Sequence, residues 1–570
     1  MFFKIYSVRR MLLLMLLLVF NFISPTLATR YYVDIQLGND LNNGLSASSA
    51  WQSLNKVNSF SFSPKDSILF ARNGVWRGQL QPRSGSTLGY ITYTDYGSGN
   101  KPLILGSKNK SSASNWIHAG GNIWKCSIAF TTDIGNMIFN GATLFGTKKW
   151  NLSYLQTQGD YHYNLNNGEL KLYSQTNPAL YYWRIECAQR FHIVFLEDVS
   201  YAVFSNLSIK YGAAHGFGGG NTHHVIIKGC DISYMGGGDL NMDGSSTRFG
   251  NGIEFWGNAN NNLVEQCKIW EIYDSGVSNQ NHTLPAHQYN IRYQNNIIYN
   301  CALASFEYWN KPSASTTSAI HFENNTCVNA GYGWGAQRPN RVGNHILLSY
   351  NEATTDSIFI RNNIFYNAHT CLALPASWQT SNGYQKLKLS NNCYYQPIAT
   401  DTVIFLFHSL AYFNSSFELY QTQTGQDKGS FIADPLFVDY ANNNFHITTN
   451  SPVINQGYQN GIQSDFDYEA RTPPADIGAD EYLPGTSGLE IIPEGHSFYI
   501  SPNPTQEFLM IHSIIEDTTL PIDIYNASGS IIQSIRLKES VQLNISEWPA
   551  GIYFLKAKDK SERAVKVIKQ

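Results

Sequence analysis

Tyr201-AVFSNLSI-Lys210, His224-VIIKGCDI-Ser233, Leu263-VEQCKI-Trp270, Asn290-IRYQNNII-Tyr299, Ala319-IHFENNTC-Val328, Ser357-IFIRNNIF-Tyr366 and Gln385-KLKLSNNCYY-Gln396 repeat one pattern, a β-branched or aromatic run ending in an Asn-rich corner. The corner residues are Asn206, Gly229, Gln266, Asn295, Asn324, Asn362 and Asn391, at intervals of 23, 37, 29, 29, 38 and 29 residues. A strand-rich unit of that length, without helical periodicity between units, predicts a stacked β-solenoid. No unit buries its apolar face alone, so the coils stack and the chain becomes a rod.

Strand alternation sets which side chains fill that rod. The first inward position after each corner is Leu207, Cys230, Cys267, Asn296, Asn325, Asn363 or Asn392. Two residues on come Ile209, Ile232, Ile269, Ile298, Cys327, Phe365 and Tyr394, an ordinary apolar row. Inward asparagines are tolerable only when their amides are paired, and a ladder from coil to coil supplies the pairing. This pattern resembles right-handed parallel β-helices of the pectate-lyase type. The resemblance implies an all-β fold, with parallel coils expected over residues 191–484.

Composition fits a chain that meets uncharged, hydroxyl-rich ligands. Charged residues make up 14% of the 570, against ~25% in an average domain, and aromatics another 14%. The net charge of −3 gives no reason to expect nucleic acid as a partner. Residues 1–28 read as a signal peptide: Lys4, Arg9 and Arg10, then the apolar run Met11 to Phe20, then Thr26-Leu27-Ala28. That run is too short to span a bilayer, so no membrane span is expected in the mature chain. The eight cysteines include Cys230, Cys267 and Cys327 at inward positions, where the thiol acts as a small apolar filler. No CxxC pair or Cys/His zinc spacing is present, so no structural metal is expected there.

The last part of the chain changes texture. After a linker over 485–497, Ser501-PN-Pro504, Ile522-DIYNAS-Gly529, Leu543-NISEWPAGIY-Phe554 and Lys566-VI-Lys569 resemble the C-terminal sorting domain of type IX secretion in Bacteroidetes. The resemblance covers 498–570 and implies a small C-terminal β-sandwich, the type IX machinery as partner, and a protein at the cell surface or secreted. Residues 29–110, with YYVDIQLGNDLNNGLSASSAWQSLNKVNSF, resemble the opening coils of secreted β-helix proteins that act on polysaccharides. Ala50 to Ser59 is expected to form a short helix over the rod's end. Asp34, Asn39 and Asp40 offer calcium-type oxygens, but without a closing acidic residue a plain turn is expected. Residues 111–190 break the coil rhythm and read as an inserted β-rich element. Over 434–482 the chain is expected to close the rod, with Arg471 paired to Asp467 or Asp476.

Chemistry is expected on a second strand in each central coil. Gly252-IEF-Trp256, Gly276-VSN-Gln280, Ser305-FEY-Trp309 and Trp334-GAQ-Arg338 align by distance from the corner. Ile253, Val277 and Phe306 then point inward, leaving Glu254, Ser278, Glu307 and Ala336 as an outward column. Beside it run Trp256, Gln280, Trp309 and Arg338. Two glutamates two coils apart sit roughly 9.6 Å from each other, close to the acid–base separation of inverting glycosidases. Trp256, Trp309 and Trp334 offer faces to sugar rings, with Gln280, His282 and Arg338 as further substrate contacts and Asp274 as a third carboxylate. Asp239 and Asp243 lie on the Gly-rich insertion over the groove. Cleavage of glycosidic bonds in an extracellular polysaccharide by a monomeric enzyme needing no cofactor is the leading expectation. A lyase acting on a uronate polymer is the alternative. It would draw a base from His215, His282, His287, His321 or His345 and a cation from Arg292, Arg338, Arg341 or calcium. A glycan-binding surface protein without catalysis is the third reading.

Overall fold

In the computed structural model the chain is a right-handed parallel β-helix followed by a small β-sandwich. The structure describes residues 28–339, 343–349, 351–373, 386–397, 403–407, 410–483, 498–501, 508–513, 519–538, 540–558 and 564–569. The signal-peptide segment, the 485–497 linker and Arg341 lie outside the described residues. One parallel sheet runs along the rod through Arg30–Val33, Ser67–Ala71, Ile91–Tyr96, Ser200–Ser205, Phe217–Lys228, Ile253–Glu265, His287–Gln294, Thr316–Glu323, Ile358–Arg361 and Leu387–Ser390. Beyond each Asn corner a second parallel sheet continues the coil, from Val75–Arg77 to Phe431–Ile432.

The corners explain the asparagines. Asn206, Asn295, Asn324, Asn362 and Asn391 sit at φ between 51° and 56°, in the left-handed region, which asparagine enters more readily than most residues. Just past each corner the expected ladder forms. Asn296 N and Nδ2 both donate to Asn325 Oδ1 at 3.0 Å, and Asn325 N and Nδ2 donate to Asn363 Oδ1 at 2.9 and 3.1 Å. Asn363 does the same to Asn392 Oδ1, and Asn392 ends the ladder on Ser430 Oγ and the buried Asp427 carboxylate. These amides are fully buried; each bond nets only about 1 kcal/mol, because both partners bond water in the unfolded chain, but losing one partner strands the other without water. The apolar row beside them stacks in register, Ile209 on Ile232, Ile269, Ile298, Cys327, Phe365 and Tyr394.

The ends are closed differently from one another. At the N-terminal end, Leu54–Ser59 is helical, capped by Ser53, with Leu54 and Val57 buried beside Trp51. Asp34 and Asp40 accept backbone N–H groups of Gln36, Leu37, Gln52 and Ser53, so these carboxylates hold turns. Between Leu105 and Val194 the chain leaves the coils to form two smaller, largely antiparallel sheets, joining Ile134–Phe139 to Ile185–Gln189 and Asp160–Tyr163 to Leu170–Tyr173.

The parallel coils stop at Phe431–Ile432, short of the expected 484. From there the chain doubles back along the outside of the corners as a strap. Asn391 donates to Gln456 O, Asn362 to Tyr458 O, Asn324 to Asp476 O, Asn295 to Ser464 O and Gln266 to Asp465 O. The outward corner amides need acceptors, and the strap's carbonyls supply them. Arg471, expected to pair with Asp467 or Asp476, instead pairs with buried Glu481 at 3.2 Å and donates to Asn295 Oδ1 at 2.8 Å. All eight cysteines are buried free thiols.

Residues from Phe498 form strands Phe498–Ser501, Phe508–Ser513 and Ser540–Asn544 in one antiparallel sheet, and four more strands in another. Their inner faces share a core, with Ile500, Ile511, Ile522, Ile524, Leu555 and Val567 buried, and that core has no residue in common with the rod's.

Candidate active site

A third face of the rod branches from Ile253–Glu265 and carries the strands Ser275–Asn281, Ala304–Asn310 and Asn344–Leu348. Register puts Gly218, Glu254, Ser278, Glu307 and Leu347 in one outward column, and Gly220, Trp256, Gln280 and Trp309 in the column beside it. Between them Phe255 and Tyr308 point into the core. Glu254 and Glu307 are therefore two strand spacings apart on the same face, about 9.6 Å between backbones.

The fourth coil departs from expectation. Trp334-GAQ is a 3-10 turn, and the column continues at Leu347 rather than Ala336. Trp334 consequently lies off the site. Its ring is 4% exposed, packs on Tyr273 and Phe145, and its Nε1 donates to Glu271 O. Arg338, at the end of that turn, does reach the site.

Glu254, Trp256, Asp274, Gln280, His282, Glu307, Trp309 and Arg338 line one cleft of about 580 Å³. Trp256 is 37% exposed, and His282 stands edge-on to Trp309 with centroids 4.8 Å apart. Asp274 is already occupied: it pairs with Arg338 and accepts Gly250 N at 2.7 Å. Gln280 Nε2 donates to Glu307 Oε2 at 3.0 Å, so it holds the glutamate rather than standing free for a substrate. Asp239 accepts three backbone N–H groups of its own loop. That loop instead contributes Leu240, Thr247, Arg248 and Phe249 to the cleft wall.

The two glutamates are buried carboxyls in a polar setting. Glu254 Oε2 accepts from Asn251 Nδ2 at 2.5 Å and lies 3.3 Å from His215 Nε2. His215 Nδ1 accepts Asn251 N at 2.8 Å, so the ring proton sits on Nε2 and faces Glu254. Burial and the nearby charge of Glu307 push Glu254 up to about 8. Glu307 Oε2 accepts Ser275 Oγ at 2.7 Å as well as Gln280, and burial pushes it up to about 7. His215 stacks on His192 at 4.8 Å, and burial holds both rings neutral, His192 at about 4. Alternation along the strand marked the two glutamates; His215, His192, Asn251 and Ser275 were not marked as their partners. His215 belonged to a group of five histidines, and only the structure separates them. His345 is buried on the carbonyls of Tyr366 and Asn367, and His321 stacks on Phe359 beside Glu323. His287 is exposed and bonded to Thr316 Oγ1.

Among the described residues the cleft holds no group of three ligands close enough to share a metal ion. Such a group, His446, Asp467 and Asp480, lies on the strap. There, against the opposing effect of its burial, Asp467 and Asp480 push His446 up to about 9, and its Nε2 lies 2.8 Å from Asp467 Oδ2.

Residues 499–570 match the family described as "Secretion system C-terminal sorting domain". The chain thus ends in a type IX sorting domain and is exported to the cell surface or medium. Among the described residues no helix is long and apolar enough to cross a membrane. No curated protein matches the sequence. Among solved structures it is similar to the pectate lyase Pel9A, at TM-score 0.43 and 13% identity over 81% of this chain and 98% of that one. It is also similar to a glycoside hydrolase, at 0.37 and 8% over 71% and 96%, and to the GH136 lacto-N-biosidase from Eubacterium ramulus, at 0.29 and 14% over 67% of each. None of these overlaps reaches a TM-score of 0.5, so the chemistry is read from the cleft itself.

Proposed function

We propose that the protein hydrolyses glycosidic bonds of an extracellular polysaccharide, with Glu254 as general acid and Glu307 as general base. The observation that carries this is the pair of carboxyls in one cleft, two coils apart, both raised toward neutrality and flanked by Trp256 and Trp309. Glu254 Oε2 is taken by Asn251 and His215, which leaves Oε1 to hold the proton and face the substrate. Glu307 Oε2 is taken by Ser275 and Gln280, which leaves Oε1 to activate a water. In the step, water attacks the anomeric carbon and gives its proton to Glu307. The bond to the leaving oxygen breaks as that oxygen takes the proton of Glu254. Backbones two strand spacings apart, about 9.6 Å, are compatible with the wider carboxyl separation of inverting enzymes, which leaves room for the water.

Elimination on a uronate polymer is the second reading, favoured by Arg190, Arg248 and Arg338 on the cleft wall. Against it, Arg338 is committed to Asp274, while Arg190 and Arg248 donate to the carbonyls of Asp239, Leu240, Gly237 and Gly135. Incubation of the mature protein with neutral and uronate-rich plant and algal polysaccharides separates the readings. New reducing ends without ultraviolet absorbance are expected. Reducing ends together with the absorbance of an unsaturated product would establish the lyase, and retained binding with neither signal a glycan-binding protein.

A further inference from the structure

We propose that the strap binds one divalent metal ion of the zinc class through His446 Nε2 and the carboxylates of Asp467 and Asp480, and that the ion fastens three separate passages of the strap to one another. None of these residues lines the cleft, so the site stands apart from the hydrolytic reading.

The three side chains converge from different stretches. His446 belongs to the strand Asn444–Ile447, which pairs antiparallel with Phe437–Asp439. Asp467 and Asp480 come from later turns of the strap. A ring nitrogen of His446 and one oxygen of each carboxylate lie within 4.8 Å of one another. Ligands at ~2.0–2.2 Å from a shared ion stand up to roughly 4 Å apart. A small rotation of Asp467, which is exposed, therefore completes the set.

Two features aim this set at a ligand. Asp480 is only 9% exposed, and its Oδ2 accepts Ile447 N at 2.8 Å. Its Oδ1 accepts no hydrogen bond among the described residues, and His446 Nε2, the cationic atom that faces it, is 3.9 Å away. A buried carboxylate oxygen left in that state costs free energy that a cation would recover. The second feature is the imidazole. Asn444 Oδ1 accepts His446 N at 3.3 Å, which turns the amide oxygen toward the ring, and it takes the Nδ1 hydrogen at 2.5 Å. Such an outer partner fixes the tautomer of metal-binding histidines and here leaves Nε2 facing both aspartates.

The surroundings carry more negative charge than they answer. Buried Asp465 accepts the backbone N–H groups of Asp467, Glu469 and Glu481. Burial and mutual repulsion push Asp465 up to about 6, and Glu469 and Asp480 up to about 7. Of the nearby cations, Arg471 is committed to Glu481 and Asn295, and Lys268 reaches Asp467 from the neighbouring sheet. A proton on His446 answers one negative charge, whereas a divalent ion answers two. Imidazole with carboxylate suits zinc and its transition-metal neighbours, while calcium takes ~6–8 oxygens.

The test uses the untagged mature chain, stripped with EDTA and dialysed into metal-free buffer. Titration with ZnCl2 should show one ion bound per chain, a higher thermal midpoint and slower proteolysis between residues 456 and 471. CaCl2 at the same concentrations should give none of these. Asn444→Ala should weaken zinc binding ~10–100-fold, and His446→Gln or Asp480→Asn should weaken it further. Midpoints taken in EDTA show which variants fold like the wild type. X-ray absorption at the zinc edge of the loaded wild type reads the ligands without any substitution, and one imidazole among oxygen neighbours is expected. The site is overturned by the absence of zinc binding, by calcium binding as tight as zinc, or by unchanged zinc affinity in variants that fold. A zinc environment of oxygens alone, or with two or more imidazoles, overturns it equally.

Discussion

Glu254 and Glu307 differ in what their free oxygens can do, and pH exposes the difference. The proposed hydrolysis needs Glu254 protonated and Glu307 ionised. With Glu307 at about 7 and Glu254 at about 8, the rate should rise through the first and fall through the second, giving a narrow bell between them. Glu254→Gln and Glu307→Gln should each lower kcat by ~10²–10⁴-fold, measured on the polysaccharide that the wild type cleaves. Near-normal rates in either variant would remove that residue from the mechanism. Stability gives a readout that does not depend on substrate. A carboxyl raised in the folded state binds its proton more tightly there than in the unfolded chain. Folded protein therefore loses stability as pH rises from the ordinary carboxyl range through about 8. Glu254→Gln removes that loss, so its Tm should exceed the wild-type value above about pH 8 and match it near pH 4. An equal Tm difference at both pH values would mean that Glu254 does not titrate in this window.

The elements are held by side chains that serve the coil above and the coil below at once. Asn325 Oδ1 accepts both donors of Asn296, while its own N and Nδ2 donate to Asn363. Asn325→Leu should cost ~1–3 kcal/mol in urea unfolding, because buried donors lose their acceptor. The strap depends on fewer ties. Arg471 is buried against Glu481, Asn295 and Gly478 O. Arg471→Leu leaves the Glu481 charge without its cation and should cost about 3 kcal/mol. Limited proteolysis should then cut between 456 and 471 before it cuts the coils; unchanged cleavage there would show that the strap is held by its backbone bonds alone.

At the scale of the molecule, the rod and the sorting module have separate cores, so each is expected to fold without the other. Removing the chain from Phe498 onward should leave the rod's melting transition and its cleft intact while the protein accumulates in the periplasm. Surface or medium localisation of the truncated chain would assign the module another role. Each coil adds one strand to the third face, so alternate coils place Trp256 and Trp309 in line along the rod axis, with Gln280 between them.

Repetition made the rod readable in the residues. A left-handed corner every coil calls for Asn or Gly, an inward amide calls for a stacked copy of itself, and strand alternation puts Glu254 and Glu307 on one face. These are short-range rules, repeated until they register. The pairing of His215 with Glu254 was not readable, because Asn251, which orients both, arrives at the end of an insertion whose packing no period constrains. Trp334 was misplaced for a related reason: its coil holds a 3-10 turn ahead of the strand Asn344–Leu348, and counting from the corner cannot sense extra residues. The doubling back of the strap was equally hidden, since the corner amides it satisfies lie 65 to 199 residues away in sequence. Local periodicity decides where strands and corners form, whereas burial and unmet hydrogen-bond donors, felt only once the coils have stacked, decide which loop closes over them.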